Sequence, residues 1–183
     1  MKVFALSGLS ECGKSTAGRF FESKGVKKLK IAEFLKKVHK KSGDVSDFAN
    51  WNFSTESRRP DWLMKRFWEE LQEYLERESI PFCSIESLYG PQLAHYLKGE
   101  LNSNFVIVYI DIPYETRLQR QMIRQNLSTI EEAKAYMDHR DAMKIEQGNL
   151  IVKEMANELV YNSGTIDDLY CKLEDVMRRH GVI

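Results

Sequence analysis

The stretch Gly8-Leu9-Ser10-Glu11-Cys12-Gly13-Lys14-Ser15 sets two glycines around a short loop and follows the second with a lysine and a hydroxyl residue. That spacing is the phosphate-binding P-loop pattern. Its glycines let backbone N–H groups turn inward around phosphate oxygens, and a helix starting beside Lys14 adds the positive end of its dipole. Lys14 brings a point charge to the β- and γ-phosphates of a nucleoside triphosphate, and the Ser15 hydroxyl is the expected ligand of Mg2+. Gly8, Ser10, Glu11, Cys12, Gly13, Lys14, Ser15 and Thr16 are therefore the expected triphosphate-binding residues.

Phosphoryl transfer also needs cations over the transferred group, and arginine supplies them with bidentate geometry. Arg117, Arg120 and Arg124 recur at i, i+3 and i+7, on one face of a predicted helix. Arg140, on the helix that follows, can join them from the other side of a lid. The same residues also fit a solvated basic face. Arg58 and Arg59 suit an acceptor's phosphate, or a solvent-facing pairing with Glu56 and Asp61. Among carboxylates, Glu33 and Glu86 each follow a predicted strand. Glu33 is read as general base for an acceptor and Glu86 as a contact of Mg2+, with a plain N-cap as the other reading of each. Asp111 is expected to anchor the arginine helix.

These residues must be held by elements. Lys2 to Ser7 reads as a buried strand ahead of the loop, and Val26 to Ala32 as a second strand followed by a helix from Glu33 to Lys41. After a polar stretch comes a long amphipathic helix, Asp61 to Glu78. Ile80 to Ile85 and Phe105 to Ile110 read as further strands, with a helix from Gly90 to Leu97 between them. The second of these runs has the unbroken apolar character of a strand buried on both faces. Tyr114 to Gln125 and Thr129 to Glu146 are predicted helices, the latter capped by Ser128 with Glu131. A fifth strand, Glu158 to Asn162, precedes a helix capped by Thr165 and Asp168 and ending at Arg179 or His180. Alternating strands and helices of this kind make a three-layer α/β fold with a five-stranded, mainly parallel sheet.

The chain has 183 residues, enough for one core, and its 27 Lys and Arg balance 27 Asp and Glu, which excludes a strongly basic binder of nucleic acid polymers. The balance hides a gradient: residues 1–41 hold 11 basic side chains against 3 acidic ones. No run is long enough for a membrane span, and three scattered cysteines fit a reducing, cytoplasmic setting better than a disulfide framework. The four histidines lack metal-ligand spacing. Trp51, Phe53, Trp62, Phe67 and Trp68 fit core packing at helical spacing better than base stacking. Cys12, at a helix start, is either a thiol of lowered pKa or a small residue that the loop tolerates. Among P-loop classes, the length disfavours motor-type ATPases, and the guanine-reading Asn-Lys-x-Asp of GTPases is absent. Small-molecule kinases remain, with a nucleotide-binding regulatory protein or a slow NTPase as the alternatives.

The P-loop, Ile31-Ala32-Glu33-Phe34-Leu35-Lys36, the run Asp111 to Arg120 and the run Ala156 to Thr165 together resemble the P-loop nucleoside monophosphate kinases and dephospho-CoA kinases. The chain departs from the dephospho-CoA kinase pattern in having Glu33 where Asp is usual and Ile85-Glu86-Ser87 where the third strand would end in Asp-Gly. The resemblance implies strand order 2-3-1-4-5 in a single kinase domain, an acceptor-binding helical region at 54–78 and a lid at 117–140. It further implies ATP as donor with Asn162 beside its base, Mg2+, a small phosphorylated acceptor and a monomer or homodimer.

Overall fold

A computed structural model describes all residues except Ser128. The elements run β1 (Lys2–Ser7), α1 (Lys14–Ser23), β2 (Lys27–Lys30), α2 (Ile31–Ser42), α3 (Phe48–Arg58), α4 (Pro60–Arg77), β3 (Phe82–Glu86), α5 (Pro91–Leu101), a 3-10 turn, β4 (Phe105–Asp111), α6 (Tyr114–Gln125), α7 (Ile130–Glu146), α8 (Asn149–Glu154), β5 (Glu158–Tyr161) and α9 (Ile166–Arg179). Every strand pairing is parallel, in the order β2-β3-β1-β4-β5.

Alternation along each strand sorts its side chains into two layers. Val3, Ala5, Cys83, Ile85, Phe105 and Ile107 face the core made with α2, α4 and α5. Phe4, Leu6, Val106, Val108 and Ile110 face the opposite core, closed by α1 and α9. The chain reverses at β1, with β3 on one side of it and β4 on the other. That places the loop after β1 at the crevice where ligands bind in open α/β sheets. Leu118, Ala133 and Met137 form a third, smaller core that binds α6 to α7.

Several element boundaries differ from the sequence expectation. β2 ends at Lys30, and Ile31 and Ala32 already belong to α2, because both side chains of the turn at Ile31 and Phe34 bury at helical spacing. β3 begins only at Phe82, after Pro81, and includes Glu86. α5 continues to Leu101. The polar stretch after α2 holds an unexpected helix, α3, capped by Asp47, whose carboxylate accepts from the N–H groups of Ala49 (3.0 Å) and Asn50 (3.1 Å). α8 was also not legible. The expected cap at Ser128 lies outside the described residues, and Thr129 accepts from Glu132 N–H at the start of α7. The capping box of Thr165 and Asp168 is present as expected. Trp51, Phe67 and Trp68 are buried in the core, whereas Phe53 is exposed.

Gly18 on α1 leaves room for the ends of the Glu86 and Lys28 side chains between that helix and the sheet. A Cβ there would collide with Glu86 Oε1 and sit 3.0 Å from Lys28 Cε. Gly18→Ala is therefore expected to lower stability by about 1–3 kcal/mol despite alanine's better helix propensity, read by denaturant unfolding. An unchanged or raised midpoint would show that the Glu86 and Lys28 side chains shift without cost.

Candidate functional site

The loop between β1 and α1 passes through Gly8 at φ 132° and Gly13 at φ 105°, backbone that suits glycine. A Cβ at Gly8 would collide with Ile110 O, and one at Gly13 would lie 2.5 Å from Asn162 Nδ2. Buried polar contacts fix the loop's base: Tyr109 OH donates to Asn149 Oδ1 (2.9 Å), Asn149 Nδ2 to Ser7 Oγ (3.1 Å), and Ser7 Oγ to Leu88 O (2.6 Å).

The loop opens onto a cleft of about 560 Å³, within the range of small-molecule sites. Ser10 to Thr16 line it, together with Arg19, Arg120, Arg124, Arg140, Lys144 and Asn162. With Lys14 this makes six cations around one cleft, against Glu11 as the carboxylate of its lining. Arg124 donates to Glu11 Oε1 at 2.8 Å. Lys14 Nζ donates to the carbonyls of Gly8 and Leu9, both at 2.7 Å, and lies 3.3 Å from Cys12 Sγ. Asn162 Nδ2 donates to Cys12 O at 2.8 Å, and Arg120 to Asn162 O at 3.2 Å. Beyond Asn162, Ile166 and Leu169 supply apolar wall.

Ser10 is held from three directions. Its N–H donates to Asp141 Oδ1 (2.8 Å), its carbonyl accepts from Arg117 (3.3 Å), and its hydroxyl accepts from Lys144 Nζ (2.6 Å). Arg117 and Asp141 also form a buried ion pair with each other. Burial pushes the Asp141 carboxyl up, but hydrogen bonds from Arg117 and Ser10 outweigh it and hold the group below its usual range. Burial and the nearby Lys14 and Arg140 lower the Lys144 ammonium to about 8.

The arginine helix is thus split in use. Arg120 and Arg124 line the cleft as expected, while Arg117 is only 6% exposed and is occupied by Asp141 and Ser10. Arg140 lines the cleft. Ser15 lines it too, but Glu86 does not: it is buried a turn further along α1, beside Gly18, and pairs with Lys28 at 3.3 Å. Glu33 is exposed on the first turn of α2, 4.0 Å from Lys30, and lines neither cavity. Arg58 and Arg59 are exposed, with Arg59 stacked 4.7 Å from the Trp62 ring centroid. Asp111, expected to hold α6, instead accepts from Lys153 of α8 at 2.7 Å. Sequence reasoning missed Asp141 and Lys144, although Lys144 stands at i+4 from Arg140 and i+3 from Asp141 in α7. It also missed Tyr89, over which both Lys14 (5.9 Å) and Lys144 (5.3 Å) lie.

Among the described residues, no cluster of three His, Cys, Asp or Glu side chains is placed to hold a metal ion, and no helix is long and apolar enough to cross a membrane. Mg2+ keeps waters and substrate phosphates as ligands, so Ser15 at the mouth of a phosphate cradle remains a fitting donor.

No protein-family model matches the chain. A UPF0200/UPF0201 protein of Archaeoglobus fulgidus is 25% identical over 97% of the chain, which spans 55% of that protein's length. A dephospho-CoA kinase of Lactobacillus acidophilus is 22% identical over 96% of the chain and 95% of its own length. Among solved structures, an uncharacterized protein from Eubacterium ventriosum aligns with a TM-score of 0.64 at 13% identity over 99% of each chain. Shikimate kinase from Acinetobacter baumannii aligns with a TM-score of 0.55 at 19% identity, over 98% of this chain and 94% of that one. The five-stranded parallel sheet in the order 2-3-1-4-5, with its glycine loop after β1, is the P-loop kinase fold that shikimate kinase also has, and the sequence is similar to that of a dephospho-CoA kinase.

Proposed function

We propose that the protein is an ATP-dependent kinase of a small acceptor, working as a single domain in which α6 and α7 act as the lid and α3 and α4 as the acceptor side. The observation that carries this reading is the complete P-loop at the head of a cleft lined by six cations and one carboxylate, itself paired with Arg124. A chain of zero net charge that concentrates cations there is built for a polyanion of small size.

Lys14 exchanges its two loop carbonyls for β- and γ-phosphate oxygens, and loop N–H groups bind the same oxygens. Arg140 and Lys144 reach the γ-phosphoryl group from α7. Arg120, Ile166 and Leu169 form the walls of a slot for the adenine ring, next to Asn162. Ser15 would hold Mg2+, which would neutralise charge on the triphosphate. Arg117 acts as a positioning residue: with Asp141 it fixes Ser10 and ties the lid to the loop. Kinship with dephospho-CoA kinase and the excess of cations support a nucleotide-like, phosphorylated acceptor whose own phosphate shares the cleft.

Two outcomes check this reading. Lys14→Ala is expected to cut acceptor-dependent ADP formation at least about a hundredfold, as loss of a transition-state contact does, with the fold intact by circular dichroism. Turnover that survives the substitution would remove Lys14 from the chemistry. The second concerns pH. The Lys144 ammonium is lowered in the free protein, and bound phosphate favours its charged form, so binding above about pH 8 requires proton uptake. ATP affinity measured by calorimetry should therefore fall as pH rises from about 7.5 to 9, and Lys144→Gln should bind more weakly at pH 7.5 and lose that slope. An equal slope in the variant would assign the titration elsewhere.

A further inference from the structure

Next to the phosphate cleft lies a second cavity of about 100 Å³, and Ser87 and Tyr89 line both. Ile31 and Leu35 of α2, Leu63 and Met64 of α4, and Leu93 of α5 form its apolar walls, and Gln147, after α7, also lines it. Among the described residues no Lys, Arg or His lines it. The polar groups that α3 presents to it are Asn52 and Glu56, which lie one turn apart and so share a helix face. Both offer acceptors without partners. Asn52 Oδ1 is buried with no hydrogen bond, and the Glu56 carboxylate makes no ion pair among the described residues. Burial alone pushes the Glu56 carboxyl above its usual range.

A buried acceptor left unmatched costs about 1–3 kcal/mol, so Asn52 Oδ1, with the half-buried and unpaired Glu56 carboxylate one turn away, marks a place completed by donors. An anion is excluded by the same facts: apolar walls desolvate it, Glu56 repels it, and no cation offsets either effect. We propose that this cavity binds the buried end of the acceptor and selects an amino-bearing group, whose NH2 donates one hydrogen bond to Glu56 and one to Asn52 Oδ1. The volume, smaller than the ~150 Å³ that encloses a benzene ring, takes the amino edge of a single ring or an aliphatic amine. Any phosphate on the same molecule stays beyond Ser87 and Tyr89, among the cations. Recognition thus passes from the exposed Arg58 and Arg59 to Asn52 and Glu56. The inference rests on the kinase reading only in calling the bound molecule an acceptor.

Two ligand pairs, compared by calorimetry on the whole protein, test it and separate the two sources of an amino group. Cytidine monophosphate is compared with uridine monophosphate, and ethanolamine with ethylene glycol. The amino-bearing member of one pair is expected to bind about tenfold or more tightly, the first pair identifying a nucleobase and the second a small amine. Glu56→Met should abolish that preference and Glu56→Gln, which keeps an acceptor oxygen, should retain part of it, with melting curves confirming that both variants are folded. Equal binding within both pairs, no binding by either, or a preference that survives Glu56→Met overturns the proposal. ADP formation measured alongside reads the kinase reading separately: its absence would sink that reading and leave the binding comparison intact.

Discussion

Mutual repulsion among cations is the constraint on which the site depends. Lys14, Lys144, Arg140, Arg120, Arg124 and Arg19 line one cleft, and like charges so close destabilise one another unless each has a local acceptor. The chain meets this with groups that a phosphate can replace. Lys14 leans on two loop carbonyls, Lys144 on the Ser10 hydroxyl, and Arg124 on Glu11. None of these partners except Glu11 carries a charge. Burial first, and then the repulsion from Lys14 and Arg140 that remains, depress the Lys144 ammonium.

That arrangement requires the loop to be held still, and the fold supplies the support from behind. The hydrogen-bonded series from Tyr109 through Asn149 and Ser7 to Leu88 ties β4, α8 and β1 to the segment after β3. Asn162, at the end of β5, holds Cys12 and closes the space beside Gly13. From above, the buried pair of Arg117 and Asp141 grips both the N–H and the carbonyl of Ser10. Removing either member would leave its partner as an uncompensated buried charge. The pair therefore links the position of α6 and α7 to that of the loop. A shift of the Ser10 backbone has a direct physical route to the helices over it.

Much of the architecture was legible because its signals are local. The P-loop residues, the unbroken apolar run of β4 and the capping box at Thr165 each depend on neighbours in sequence. The parallel order of strands followed from the resemblance and from alternation of elements. What escaped depends on contacts between distant segments. Periodicity put Arg117, Arg120 and Arg124 on one face but could not show that Asp141, in the next helix, takes Arg117 out of the cleft. Glu86 was legible as a residue at a strand end, whereas its pairing with Lys28 under Gly18 follows from the register of β2 on β3. α3 was hidden by its polar composition, and with it Asn52 and Glu56, whose significance comes from the apolar walls that α2, α4 and α5 bring around them.

A kinase cleft moves a phosphoryl group from ATP to a second molecule. Phosphorus NMR on the protein with Mg2+, ATP and a mixture of small acceptors measures it directly. ADP and a new phosphorylated product are expected to grow in equal amounts, with little inorganic phosphate. ADP matched instead by inorganic phosphate, at a rate that no acceptor changes, would contradict it.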